Sequence, residues 1–290
     1  MTSRPHLTRC ATPWVSSLAR VTSHRSVHEY AIDLGARGRY AAAWFALTGP
    51  VGHLDLDSPQ SRDSRGLSIR ASHLRQIGMA DLAQHLDARA IETAQTADEA
   101  ADAGLGWAAD ALAQGHVDEA RDRFAQCLDT APAESTGAQN ARIEVRIQWV
   151  GAEIDLAAGH QALAAERLTD AVAQARLVSQ RHLAKSLMFL AAVRAMQGNP
   201  SGAHRDLIEA DAIIDRERWI SLWWPWTLIA DGLDHDLWGP DAAGIWQGLH
   251  IDRARAAVGI IRAHLPEDLV GRWAGGRDVQ RLDDLAGRYP

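Results

Sequence analysis

Small residues recur along this chain at fixed distances from five glycines. Gly38, Gly78, Gly115, Gly159 and Gly198 are each followed five residues later by alanine: Ala43, Ala83, Ala120, Ala164 and Ala203. Each is preceded seven residues earlier by another alanine: Ala31, Ala71, Ala108, Ala152 and Ala191. Successive glycines lie 40, 37, 44 and 39 residues apart. A period near 40 with small residues at constant offsets predicts a stack of helical hairpins. Leu105 to Pro132 shows one unit clearly. Leu105, Ala108, Leu112 and Ala113 mark a first helix, and Gly115 can take the left-handed conformation that closes it. Asp118 and Glu119 then suit the positive end of a second helix dipole. That helix carries Val117, Ala120, Phe124, Cys127 and Leu128 on one side, and Pro132 stops it.

The fourth unit supports the same architecture. Ile143, Ile147, Val150 and Ile154 form one apolar stripe, and Val145, Trp149, Ala152 and Leu156 form another. A helix apolar on two sides is buried between two neighbours.

On these residues the chain resembles the tetratricopeptide repeat family, over roughly residues 24 to 217. The family places small residues at its positions 8, 20 and 27, a turn glycine at 15, an aromatic at 24 and proline at 32. In the third unit these read Ala108, Ala120, Cys127, Gly115, Phe124 and Pro132. In the other units the small residues hold, while position 24 becomes Leu47, Asp87, Leu168 and Leu207. The resemblance implies an all-α, right-handed superhelical solenoid of about five hairpins (residues 23–217). A Trp-rich C-terminal helical cap (218–290) follows, after an N-terminal arm (1–22).

In such an array the first helix of each hairpin lines the concave face. Position 2 reads Arg25, Arg65, Asp102, Arg146 and Lys185, basic in four of five units of an acidic chain. Position 5 reads His28, Ser68, Leu105, Trp149 and Met188. Arg65, Arg146, Trp149, Lys185 and Met188 are therefore the expected partner contacts. They would suit a peptide or protein, an acidic segment or C-terminus included, because arginine offers bidentate contacts to carboxylates. Positions 6 and 9 supply none of the asparagines that the chaperone-binding members of the family use.

Trp219, Trp223, Trp224, Trp226 and Trp238 crowd one stretch, with Trp219, Trp223 and Trp226 on one face of a helix that Pro225 should kink or end. This cluster reads either as the cap of the solenoid or as a ligand pocket, which would make the protein a small-ligand sensor. Asp231, Asp234, His235 and Asp236, like His53, Asp55 and Asp57, hold metal-type donors but read as an acidic helix end and a solvated loop. Beyond Pro240, Ala242 to Leu265 predicts a helix, Pro266 a new start, Gly275-Gly276 a break and Leu282 to Tyr289 a last short helix.

Chemistry-bearing motifs are missing: the chain has no HExxH, phosphate-binding loop, GxSxG or GxGxxG after a strand. No catalytic residue, metal or cofactor is expected. The net charge of −7 disfavours a nucleic-acid surface, and no apolar run is long enough to cross a bilayer. Two cysteines form no disulfide framework, which fits a cytoplasmic protein. Among 30 basic residues only Lys185 is a lysine. Residues 1–28 carry arginines but no acid, and read as a disordered arm, a targeting segment or an over-long start. The expectation is a non-catalytic scaffold or adaptor.

Overall fold

A computed structural model describes residues 26–49, 63–130, 138–237 and 247–288. The N-terminal arm, Arg25, Pro132, Trp238 and the histidine and acids between residues 53 and 57 lie outside them, as do the side chains of Asp234, His235 and Asp236. Fourteen helices and no strand occur among the described residues. Ten form five hairpins: α1 (Val27–Ala36) with α2 (Tyr40–Thr48), α3 (Ser64–Gln76) with α4 (Ala80–Thr93), and α5 (Ala97–Ala113) with α6 (Val117–Thr130). The last two pair α7 (Ala138–Ala157) with α8 (Gln161–Val178), and α9 (Gln180–Met196) with α10 (Pro200–Glu217). Then follow α11 (Ile220–Leu237), α12 (Gln247–Ala263), α13 (Glu267–Ala274) and α14 (Arg277–Arg288).

The repeat signature does what its chemistry predicts. All five repeat glycines have φ between 71° and 83°, a left-handed geometry that glycine adopts without steric cost. At Gly78, Gly115, Gly159 and Gly198 an added Cβ would meet nothing, so conformation rather than space selects glycine there. The ten flanking alanines are all fully or almost fully buried. They sit where helices cross, and a methyl lets the axes approach without glycine's helix penalty.

Within the array, α1 touches α3, α3 touches α5, α5 touches α7 and α7 touches α9. The first helices thus form a continuous inner layer, and the second helices lie outside it. The protein is an all-helical solenoid.

The C-terminal helices depart from a simple cap. Helix α11 packs on α9 and α10, as a cap would, but it also touches α1. Ile220, Ala257, Ile261, Leu265, Trp273 and Leu285 share one buried cluster with Ala31, Tyr40, Trp44, Leu67 and Leu74 of the first two hairpins. The main-chain N–H of Ala41 donates to the carbonyl of His264, and Arg272 pairs with Asp81. The array therefore curls until its two ends meet through the C-terminal helices. The buried residues described in the C-terminal helices fall in the same clusters as residues of the repeats.

Pro225 does not end α11, which continues to Leu237. It lies in the second turn, where its missing N–H removes only the bond to the Ser221 carbonyl, and burial of the helix outweighs that loss.

Candidate functional site

Helices α3, α5, α7 and α9 bring a charged group together on the inner layer. On α7, Arg142, Arg146, Trp149 and Glu153 follow steps of four, three and four, which places them on one helical face. On α9, Arg181, Lys185, Phe189 and Ala192 follow steps of four, four and three, and likewise share one face.

Trp149 organises the α7–α9 side. Its indole N–H donates to Ser186 Oγ at 2.8 Å. Its ring stacks on His182, with centroids 5.3 Å apart and planes inclined by 13°, and meets Phe189 edge-on at 6.3 Å. Over this aromatic wall stands Lys185, its Nζ 4.5 Å from the Trp149 centroid and 5.1 Å from that of Phe189. Such contacts hold a cation by the negative face of the ring. Burial pushes the Lys185 ammonium down to about 8; Glu153 opposes that shift, while Arg146, Arg75 and Arg181 add to it. Burial likewise raises the Glu153 carboxyl, with Lys185 and Arg75 opposing. His182 is pushed down to about 3 by burial and then by Arg142, Arg146, Arg181 and Lys185. It therefore stays neutral, with its Nδ1 2.6 Å from Ser179 Oγ.

The arginines are largely occupied within the chain. Arg146 pairs with the Asp102 carboxylate and also donates to the Asp102 carbonyl at 3.0 Å. Arg142 meets the other carboxylate oxygen of Asp102 at 2.7 Å. Asp102, the one acid in the otherwise basic position-2 column, thus serves two arginines of the next hairpin.

Arg75 holds Asp110 through Nε at 2.7 Å and Nη2 at 3.2 Å, and also pairs with Asp87. Both carboxyls are all but inaccessible, and burial raises both above the ordinary aspartate range while Arg75 opposes it. This triad fastens α3 to α4 and α5. An added Cβ on Gly106 would overlap the Asp87 carboxylate and come within 2.9 Å of Arg75 Nη2, so the triad requires glycine there.

Arg181 spans the closed array. Its Nη2 donates to Ser221 Oγ of α11 at 3.2 Å and to Gln76 Oε1 of α3 at 3.4 Å, while Nη1 is buried with no hydrogen-bond partner.

The residues expected from the sequence divide. Arg146, Trp149 and Lys185 do meet on the inner layer. Arg65 stands half-buried in the first turn of α3 and takes no part in the contacts that join those three. Met188, three residues after Lys185, is 2 % exposed and packs in the same buried cluster as Trp149, with residues of α8, α10 and α11.

Among the tryptophans, Trp226 is buried against α10 and donates to the Leu207 carbonyl at 3.1 Å. Trp219 packs on the same cluster, and Trp223 bridges it to the N-terminal one. The indole N–H groups of Trp223 and Trp224 are buried without partners. Asp231 is paired with Arg281, and no cluster of three or more metal-type donors occurs among the described residues.

Column reasoning missed Arg75 and Arg181. Arg75 had a signal, since Asp87 stands where the repeat expects an aromatic and needs a buried partner. Arg181 lies ahead of the repeat unit, outside every column.

No protein-family model matches the chain, and no curated protein matches it. Among solved structures it is similar to the crystal structure of a Rap protein complexed with Competence and Sporulation Factor. The two superpose with a TM-score of 0.57 at 11 % identity, over 95 % of this chain and 80 % of that one. Likeness at that identity speaks for the fold alone: the chain is an all-helical solenoid of stacked hairpins.

Proposed function

We propose that this protein is a non-catalytic scaffold or adaptor of the cytoplasm that holds a peptide, or an extended segment of a protein, against its inner layer. The observation that carries this reading is the assembly of Lys185, Trp149, Phe189 and Arg146 on a concave wall. Aromatic rings and long cations make good anchors for an extended chain, which offers carbonyls, side chains and termini in sequence. The similar Rap structure holds its own factor, which is consistent with ligand capture by this fold. Trp219, Trp223 and Trp226 serve in this reading as the closing wedge rather than as a separate ligand pocket.

The test uses a pool of random hexapeptides, incubated with the full chain and separated by gel filtration. Peptides should be retained, and Ala192→Trp should abolish retention, because Ala192 lies two turns from Lys185 on its face. Leu177→Glu, at an 89 % exposed position of α8, should leave retention unchanged. Retention lost through the α8 substitution but not through Ala192→Trp would refute an inner-layer site, as would no retention at all.

A further inference from the structure

The cations of the inner layer are held in unlike ways. Arg75 is matched by Asp87 and Asp110. Arg142 and Arg146 share the single carboxylate of Asp102. Arg181 spends its hydrogen bonds on neutral Gln76 and Ser221. Lys185 makes no hydrogen bond or ion pair among the described residues and rests on two aromatic rings alone. Further carboxylates act on these groups: Glu153 on Lys185, without an ion pair, Asp98 on Arg142 and Asp33 on Arg181. Arg181 and Lys185 are thus the cations of this group that make no ion pair among the described residues. The whole chain meanwhile carries −7. Cations without a directly paired acid raise the local positive potential of the wall they line.

The arginines also differ from Lys185 in freedom. Each is fixed by hydrogen bonds to another helix, Arg181 through Nη2 alone, its Nη1 being buried without a partner. An ammonium over two rings has its three N–H donors unused by the chain.

We infer that Lys185 is the specificity-determining contact of the inner layer and that it receives a carboxylate of the bound peptide, an inference that rests on the peptide-binding reading above. The carboxylate belongs either to an acidic side chain or to the peptide's C-terminus. The ring faces of Trp149 and Phe189 fix the ammonium from behind, and Arg146 and Arg181 supply the surrounding positive field. Glu153 opposes a second negative group at the same place. The seat thus takes one carboxylate rather than an acidic run.

The experiment sequences the hexapeptides retained by the full chain, using one pool with free C-termini and one with amidated C-termini. Enrichment of a single Asp or Glu in both pools assigns the seat to a side-chain carboxylate. Retention confined to the free-terminus pool, without acidic enrichment, assigns it to the terminal carboxylate. In either case Lys185→Gln should weaken the retained peptides at least tenfold, and Lys185→Arg should restore most of that loss, with helicity unchanged in both variants.

Retention without acidic enrichment and indifferent to amidation would overturn the inference while leaving the peptide-binding reading standing. So would carboxylate-dependent retention that Lys185→Gln does not weaken. No retention from either pool would overturn both.

Discussion

The main-chain N–H of Ala41 donates to the carbonyl of His264 at 2.8 Å, joining the start of α2 to the end of α12 at the other end of the chain. Around this bond Ile261 is fully buried and lies against Gly38. The first hairpin and the C-terminal helices therefore stabilise each other rather than each stabilising only its sequence neighbour.

Ile261→Ala should expose that dependence. Truncating a fully buried isoleucine costs about 2–5 kcal/mol, which chemical denaturation would read. Hydrogen exchange should also accelerate in residues 40–48, which are far from position 261 in sequence. Faster exchange confined to α12 and its immediate chain neighbours would contradict mutual support between the ends.

Two glycines in helix interiors should respond oppositely to the same substitution. Alanine is the better helix former by about 1 kcal/mol. Gly259→Ala, where the added Cβ meets nothing, should raise stability by about 0.5–1 kcal/mol. Gly106→Ala should lower it by about 1–3 kcal/mol, because the methyl displaces the Asp87 carboxylate from Arg75. Thermal melts of the two variants decide this, and the proposed role of the triad fails if both are stabilised.

Acid should weaken the fold through His73. Its Nδ1 accepts the indole N–H of Trp44 at 3.2 Å, the Tyr40 ring meets it edge-on, and burial followed by the Arg181 charge pushes it down to about 3. The folded value lies below the unfolded value near 6.5, so the folded state binds fewer protons. The stability this group contributes is complete above the unfolded value and is lost as pH falls towards 3. Urea midpoints measured from pH 7 down to pH 4 should decline. His73→Asn, which keeps an acceptor near Nδ1 but cannot titrate, should flatten the decline even though it lowers stability at pH 7. An unchanged slope in that variant would assign the acid sensitivity elsewhere, His182 being the next group to test.

Much of the fold was legible because its determinants are local. A glycine at positive φ and alanines at helix crossings act within one hairpin, so they return at a regular period wherever a hairpin does. Arg146, Trp149 and Lys185 were legible for the same reason, since helical position alone sends them inward. Met188 shares that spacing, three residues after Lys185, but residues of α8, α10 and α11 pack with it in a buried cluster, a contact that no single column announces.

Arg181 was invisible for a different reason. Its partners, Gln76 and Ser221, are set by the curvature of the whole array, which accumulates from small rotations that no single unit encodes. The packing of α12 to α14 on the first hairpins had the same origin. Their apolar spacing announced helices that needed a partner surface, but not which surface.

The Ala41–His264 bond also bears on how such a chain can change size. An open stack can gain or lose a hairpin at modest cost, because each unit answers only to its neighbours. A stack whose ends are fastened has a fixed circumference, like a hoop with a set number of staves. Inserting or deleting one hairpin here would part Ala41 from His264 and strip the cover from Tyr40, Leu74 and Ile261. Five is therefore a dimension of the molecule as well as a count of its described hairpins.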